Sequence, residues 1–178
     1  MSLRKLAAGA ALPPITLPTL AGKSVTLGVP APGCDWQLVV IYRGKHCPLC
    51  SRYLTELEAL RHDFIDLGVD IVAASADSLE QAKLHLSTLN VSYPIAYNLS
   101  ISNMQELGLY ISNPRSEQET DHPFAEPGLF VINEKGTVQI IDISNGPFVR
   151  PDLASLLSGL SFIRDPQNNY PIRGTYSE

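Results

Sequence analysis

The stretch "WQLVVIYRGKHCPLCSRYLTELEALRHDFIDLGVDIVAAS", residues 36 to 75, limits the possible folds more than any other part of the chain. It opens on "WQLVVIY", a short apolar run rich in β-branched and aromatic residues, bounded by "APGCD" before it and Arg43-Gly44 after it. That length and composition read as a buried strand. From Pro48 the period changes. Cys50, Tyr53, Leu54, Leu57, Leu60, Phe64 and Leu67 recur at three- and four-residue steps, the spacing of one helix face. Pro48 suits the first helical turn, where its missing N–H costs nothing, and Gly68 suits the position just past the end. "VDIVAAS" then reads as a second buried strand. Two buried strands joined by a helix imply a parallel pair and a right-handed crossover.

The remaining segments extend this unit. "ITLPTLAGKSVTLG", 15 to 28, reads as a hairpin around Gly22-Lys23. Ser78 to Gln81 can form a capping box that opens a helix to about Asn90. "YPIAYN", 93 to 98, is a candidate strand end, and "NMQELGL", 103 to 109, a short helix. The polar, turn-rich segment 112 to 126 predicts a loop. "GLFVINEKGTVQIIDIS", 128 to 144, predicts a hairpin. "DLASLLSGLSFI", 152 to 163, predicts a last amphipathic helix with Pro151 at its start, followed by an irregular tail over 164 to 178. No internal repeat or low-complexity linker divides the chain, so residues 1 to 178 read as one α/β domain. Its simplest layering is a mixed sheet with helices on both faces.

A domain of 178 residues buries roughly 70% of the surface its unfolded chain exposes, and needs neither disulfide nor metal to hold a core. The net charge is −5 and no Lys/Arg block forms a patch, which argues against nucleic acid. No apolar run approaches the roughly 20 residues that span a bilayer, so no membrane partner is expected. "MSLRKLAAGAAL" has a basic start, but its apolar part is short and is interrupted by Gly9, Pro13 and Pro14. It reads as the start of the mature fold rather than a signal peptide, and the expected setting is cytoplasmic and reducing. There a C-x-x-C pair is catalytic or metal-binding more often than structural.

Cys47 and Cys50 form that pair. Cys47 falls where the strand ends and the helix begins, and a helix N-terminus stabilises a thiolate. Arg43, Lys45 and His46 add positive charge or donors nearby. Cys50 lies one turn further in, on the apolar face with Leu54 and Leu57, so Cys47 is expected to be the more exposed cysteine and the one with the lower pKa. A zinc site usually takes four ligands, often from two such pairs, and only Cys34 and four scattered histidines could complete one here. Haem attachment needs histidine after the second cysteine, where Ser51 stands. Redox chemistry is the favoured reading. Cys34, in a turn with no helix start behind it, reads as a packing cysteine. His62 and His85 read as packed or solvated helix residues, and only His46 gains a possible role, by adjacency to Cys47.

"VVIYRGKHCPLC", "VDIVAASADS", "EPGLFVINEKGTV" and "PFVRPDLASLL", in this order, resemble the alkyl hydroperoxide reductase/thiol-specific antioxidant group. More narrowly, the chain resembles small peroxiredoxin-like proteins that carry Y-R-G-x-x-C-P-x-C. The resemblance covers residues 6 to 163 and implies a thioredoxin-like fold, a central mixed sheet flanked by helices, with the N-terminal hairpin of peroxiredoxins. It implies a thiol-dependent antioxidant enzyme that cycles Cys47 and Cys50 between dithiol and disulfide to reduce peroxides. The substrate is then a peroxide or disulfide, and the electron donor a thiol such as thioredoxin or glutathione. A homodimer is possible, and no cofactor or metal is implied. Two departures stand out. Cys47 occupies the position where peroxiredoxins carry threonine or serine, three residues before the attacking cysteine, whereas thioredoxins place their attacking cysteine at Cys47. Pro127 replaces the arginine that two-cysteine peroxiredoxins carry before G-L-F. Thioredoxins place a cis-proline there, facing the cysteine pair; an ordinary trans turn proline is the alternative. Arg150 resembles a second peroxiredoxin arginine, and Arg43 or Arg150 could stand in for the missing one. The rival functions are thiol–disulfide exchange and a non-catalytic module that binds zinc or a partner.

Overall fold

The structure is a computed structural model and describes residues 4–178; the first three residues of the stretch read as the mature start lie outside them. Its centre is the strand–helix–strand unit. Strand β3 (Trp36–Ile41) runs parallel to β4 (Val69–Ala74), with Leu38 opposite Ile71 and Val40 opposite Ala73. The connection is two helices, α1 (Pro48–Ala59) and α2 (Arg61–Asp66), because Leu60 leaves helical geometry at φ −102°. No glycine or proline marks that break, so the sequence carries no sign of it.

Strands β1 (Thr16–Pro18) and β2 (Ser24–Thr26) form the expected N-terminal hairpin. Helix α3 (Leu79–Leu86) opens on the Ser78–Gln81 capping box. It stops short of the expected Asn90, where the Ser87 and Thr88 hydroxyls donate to the carbonyls of Leu84 and His85. Strand β5 (Ile95–Ala96) pairs parallel to β4. Helix α4 (Ile101–Glu106) starts two residues earlier than its apolar pattern implies, because Ser100 and Asn103 cap it reciprocally.

One expectation is overturned. The segment 112 to 126 is not loop throughout: β6 (Ile111–Ser112) and β7 (Phe124–Ala125) pair antiparallel across it. Two-residue strands carry no readable alternation, and the eleven polar and proline residues between them hide the pairing. Strands β8 (Gly128–Ile132) and β9 (Val138–Ile143) form the expected hairpin, with β8 antiparallel to β3. Helix α5 (Leu153–Arg164) is capped by Asp152, whose carboxylate accepts from Ser155 N–H at 2.8 Å. The tail after it holds one 3₁₀ turn, Pro166–Asn168.

The central sheet has the order β5-β4-β3-β8-β9, mixed as expected. Alternate residues of β3 point to opposite faces. Leu38 and Val40 join Leu54 and Leu57 of α1, Phe64 of α2 and Leu160 of α5 in one core. Val39 and Ile41 join Ile15 and Leu17 of the hairpin segment and Met104 of α4 in the other. Helices therefore cover both faces, and α1 sits on the sheet with its N-terminus at the C-terminal end of β3.

Candidate active site

The site is built where β3 hands over to α1. Gly44 makes the turn at φ 137°, and a Cβ there would lie 2.5 Å from Asp77 Oδ1. The turn packs against Asp77, whose buried Oδ2 accepts from Lys45 N–H at 2.8 Å. Cys47 follows as the N-cap of α1, with Pro48 in the first turn. Its Sγ accepts the backbone N–H of Cys50 at 3.2 Å, the service that a serine or threonine oxygen usually performs at this position.

Both thiols are buried, Cys47 at 1% exposure and Cys50 at 0%. Cys47 is the more exposed of the two, as expected, but only barely: the loop after β9 lays Arg150 over the pair, a contact from about 100 residues away along the chain. All three cysteines are free thiols.

The ionisation of the pair is strongly asymmetric. Cys47 is lowered to about 6, chiefly because the Cys50 thiol donates to its sulfur. Burial opposes the shift, while the Cys50 backbone N–H, the Arg43 side chain and the Arg150 charge favour it. Cys50 is pushed up by burial and by the proton it gives to Cys47. Arg150 Nη2 lies 2.7 Å from Cys50 Sγ and 3.9 Å from Cys47 Sγ. The short contact to Cys50 does not place the negative charge there. Arg150 donates to the Cys50 sulfur, and Cys50 S–H donates onward to the Cys47 thiolate, so one charge is held by a chain of three groups.

Arg150 is itself held in place. Its Nη1 donates to Leu49 O at 3.3 Å, and its guanidinium lies 5.2 Å from the centre of the Tyr53 ring. The Tyr53 hydroxyl donates to Pro151 O at 2.7 Å. Tyr53 is thus a site residue that the helical pattern identified only as part of an apolar face. Arg43 lies on the Cys47 side, with Nε 3.1 Å from Glu126 Oε2, Nη2 3.6 Å from Glu119 Oε1, and its guanidinium over the Phe124 ring.

His46 does not supply the positive charge expected of it. Burial, then repulsion from Arg43, lowers it to about 4, and its ring packs on Phe124 with centroids 4.5 Å apart. It is neutral at pH 7. Pro127 also departs from the resemblance. The described residues contain no cis peptide bond, so Glu126–Pro127 is trans and the thioredoxin-type cis-proline platform is absent. Pro127 instead lines a small cavity with Tyr53, Gly128, Leu129 and Arg150. Cys34 lies before β3, at the opposite end of the strand from Cys47, and its thiol is pushed up by burial and by Asp70 and Asp35.

His85, read from the sequence as a packed or solvated helix residue, also borders the site. It is buried, and its Nε2 lies 2.7 Å from Ser51 Oγ, which also donates weakly to Cys47 O at 3.4 Å. Burial lowers its pKa, so the ring is neutral and ties α3 to the first turn of α1. Nothing in its helical position distinguishes it from any buried histidine.

Beside Arg150 a groove of about 300 Å³ opens between Leu49, Arg52, Tyr53, Glu56 and the 147–153 segment. Phe148 stands exposed at its rim, at 85%. Among the described residues no helix is long and apolar enough to cross a membrane.

The family model for redoxin matches residues 7–158. No curated protein sequence matches the chain. Several solved structures share its fold. A peroxiredoxin 6 variant from Arenicola marina has a TM-score of 0.74 at 16% identity, covering 91% of this chain and 75% of that one. A peroxiredoxin-like protein from Aquifex aeolicus has 0.72 at 15%, covering 89% and 88%. Mycobacterium tuberculosis AhpC has 0.72 at 17%, covering 92% and 96%. The thioredoxin-like architecture and the family match over most of the chain agree with the thiol pair at the start of α1: the chain belongs to the redoxin family of thiol-dependent oxidoreductases.

Proposed function

We propose that the chain reduces hydroperoxides with Cys47 as the attacking thiolate and Cys50 as the resolving thiol. The observation that carries this is the Arg150 guanidinium set across both sulfurs, 2.7 Å from one and 3.9 Å from the other. The Cys47 thiolate attacks the nearer peroxide oxygen; the S–O bond forms, the O–O bond breaks, and the departing oxygen takes a proton to leave as water or an alcohol. Cys47 is then a sulfenic acid. Cys50 attacks that sulfur, the S–S bond forms, the S–O bond breaks, and the hydroxyl leaves as water with the Cys50 proton. Two equivalents of an external thiol restore the dithiol and become a disulfide themselves. The fixed cation favours the charge that develops on the departing oxygen and costs no reorganisation during the step.

A thioredoxin-type protein or glutathione fits the role of donor, because the Cys47–Cys50 disulfide needs only an attacking thiolate. Thiol–disulfide exchange is the second reading. The N-cap position of Cys47 favours it, and the trans bond before Pro127 counts against it.

The test mixes reduced protein with hydrogen peroxide and follows the cysteines by mass spectrometry. The expected product is a Cys47–Cys50 disulfide, and in Cys50→Ser a sulfenic acid on Cys47. A protein inert to peroxide that still reduces a protein disulfide would favour exchange.

A further inference from the structure

We infer that Glu126 is a positioning residue for Arg43: its buried carboxylate fixes that guanidinium on the Cys47 side of the site. The inference rests on the reading of Cys47 as the reactive thiolate. Arg43 sits in the turn before Gly44, a place where a long side chain has no helix or strand of its own to fix it. Its orientation is set by β7 and the segment that links it to β8, the strand paired with β3. Phe124 supplies a ring 4.8 Å below the guanidinium, and Glu126 Oε2 lies 3.1 Å from Nε.

The two carboxylates near Arg43 are not equivalent. Glu119 is shared with Arg115, which approaches it through both backbone N–H and Nε at 2.6 Å and 3.3 Å. Glu126 is 4% exposed, and among the described residues Arg43 is the cation paired with it. Its backbone N–H donates to Tyr110 O at 2.8 Å, and its Oε1 accepts from Ser112 Oγ at 2.7 Å. Main chain and side chain are therefore both anchored to β6 and its flank. A carboxylate this buried is tolerated only with a partner, so it constrains Arg43 as firmly as Arg43 stabilises it.

Two effects of Glu126 on Cys47 have opposite signs, which makes the role testable. A carboxylate acting through its own charge opposes a nearby thiolate, so neutralising it would lower the thiol pKa. A carboxylate that acts by aiming Arg43 has the reverse effect: neutralising it frees the guanidinium and raises the thiol pKa. The charged groups that face Cys47 are Cys50, Arg43 and Arg150, and those that face Arg43 are Glu119 and Glu126, with His46 neutral beside it.

The experiment titrates the thiolate absorbance of reduced protein near 240 nm in a Cys34→Ser background. Glu126→Gln should raise the Cys47 midpoint by on the order of one pH unit. Arg43→Gln should raise it at least as far, and the double variant no further than Arg43→Gln alone. An unchanged or lowered midpoint in Glu126→Gln, or shifts that add in the double variant, would overturn the role. If circular dichroism shows that Glu126→Gln does not fold, Ser112→Ala leaves the carboxylate in place but untethered. It should raise the midpoint by less, and no rise there counts equally against the role. The readout is ionisation rather than turnover. A negative result leaves the peroxide chemistry standing, whereas a Cys47 that peroxide does not oxidise would remove that chemistry whatever the midpoint.

Discussion

Arg150 Nη2 stands 2.7 Å from the sulfur of Cys50, although 100 residues separate the two along the chain. The contact exists because α1 and the segment before α5 meet over the C-terminal end of β3, with the Tyr53 hydroxyl pinning Pro151 O. Together with the Cys50 thiol and backbone N–H and the Arg43 side chain, it lets two buried thiols, which burial alone would keep protonated, carry one negative charge.

Replacing that guanidinium should therefore damage chemistry far more than folding. Arg150→Lys keeps a positive charge but cannot reach Cys50 Sγ, Cys47 Sγ and Leu49 O together, because an ammonium is a point donor rather than a planar fork. The expected loss in the rate of Cys47 oxidation by hydrogen peroxide is about 10²–10³-fold, the scale for removing a preorganised donor. Stopped-flow fluorescence or competition with a second peroxidase measures it. Thermal unfolding should move little, since Arg150 is partly exposed.

The pH profile follows from Cys47. The thiolate is the nucleophile, and Cys47 is lowered to about 6, so reactivity should rise as pH passes upward through about 6 and level off above 7. Protonation below that range removes the nucleophile. Iodoacetamide labelling of the reduced protein, read by peptide mass spectrometry from pH 5 to 9, should show Cys47 labelled first. A Cys47 that labels only above pH 8, or a Cys50 that labels before it, contradicts the assignment.

The three cysteines should separate cleanly by substitution. Cys47→Ser removes the nucleophile and should abolish peroxide consumption. Cys50→Ser should allow one oxidation and then halt with a sulfenic acid. Cys34→Ser should retain turnover near that of the parent, because Cys34 lies at the far end of β3 and burial, Asp70 and Asp35 hold it protonated. A folded but inactive Cys34→Ser protein would require a role that this geometry does not supply.

Gly44→Ala tests the turn that presents Cys47. A φ of 137° strains any side chain, and the new methyl would meet Asp77 Oδ1. The expected cost is about 1–3 kcal/mol in denaturant unfolding, the scale of a residue forced into a sparsely populated conformation. The Lys45 N–H to Asp77 bond should weaken with it. Unchanged stability would show that the turn relaxes freely.

The residues themselves determined the strand–helix–strand unit, both hairpins, the capped start of α3, the start of the last helix after Pro151, and the placement of Cys47 at a helix N-terminus. These are local signals: hydrophobic period, capping chemistry and the fixed three-residue step between two cysteines all act within a few residues along the chain. The break at Leu60 and the short β6–β7 pair left no such mark, because neither involves a glycine, a proline or a run long enough to show a period. Tertiary structure alone decided what surrounds the thiols. It brought Arg150 onto Cys50, drew Arg43 toward Cys47 from across Glu126, buried His46 into a neutral ring, and set His85 against Ser51. A thiol's pKa depends on charges and desolvation within a few ångströms, whatever their distance in sequence. For the same reason a motif of twelve residues could locate the reactive pair but could not say that both sulfurs are buried, or that one proton is shared between them.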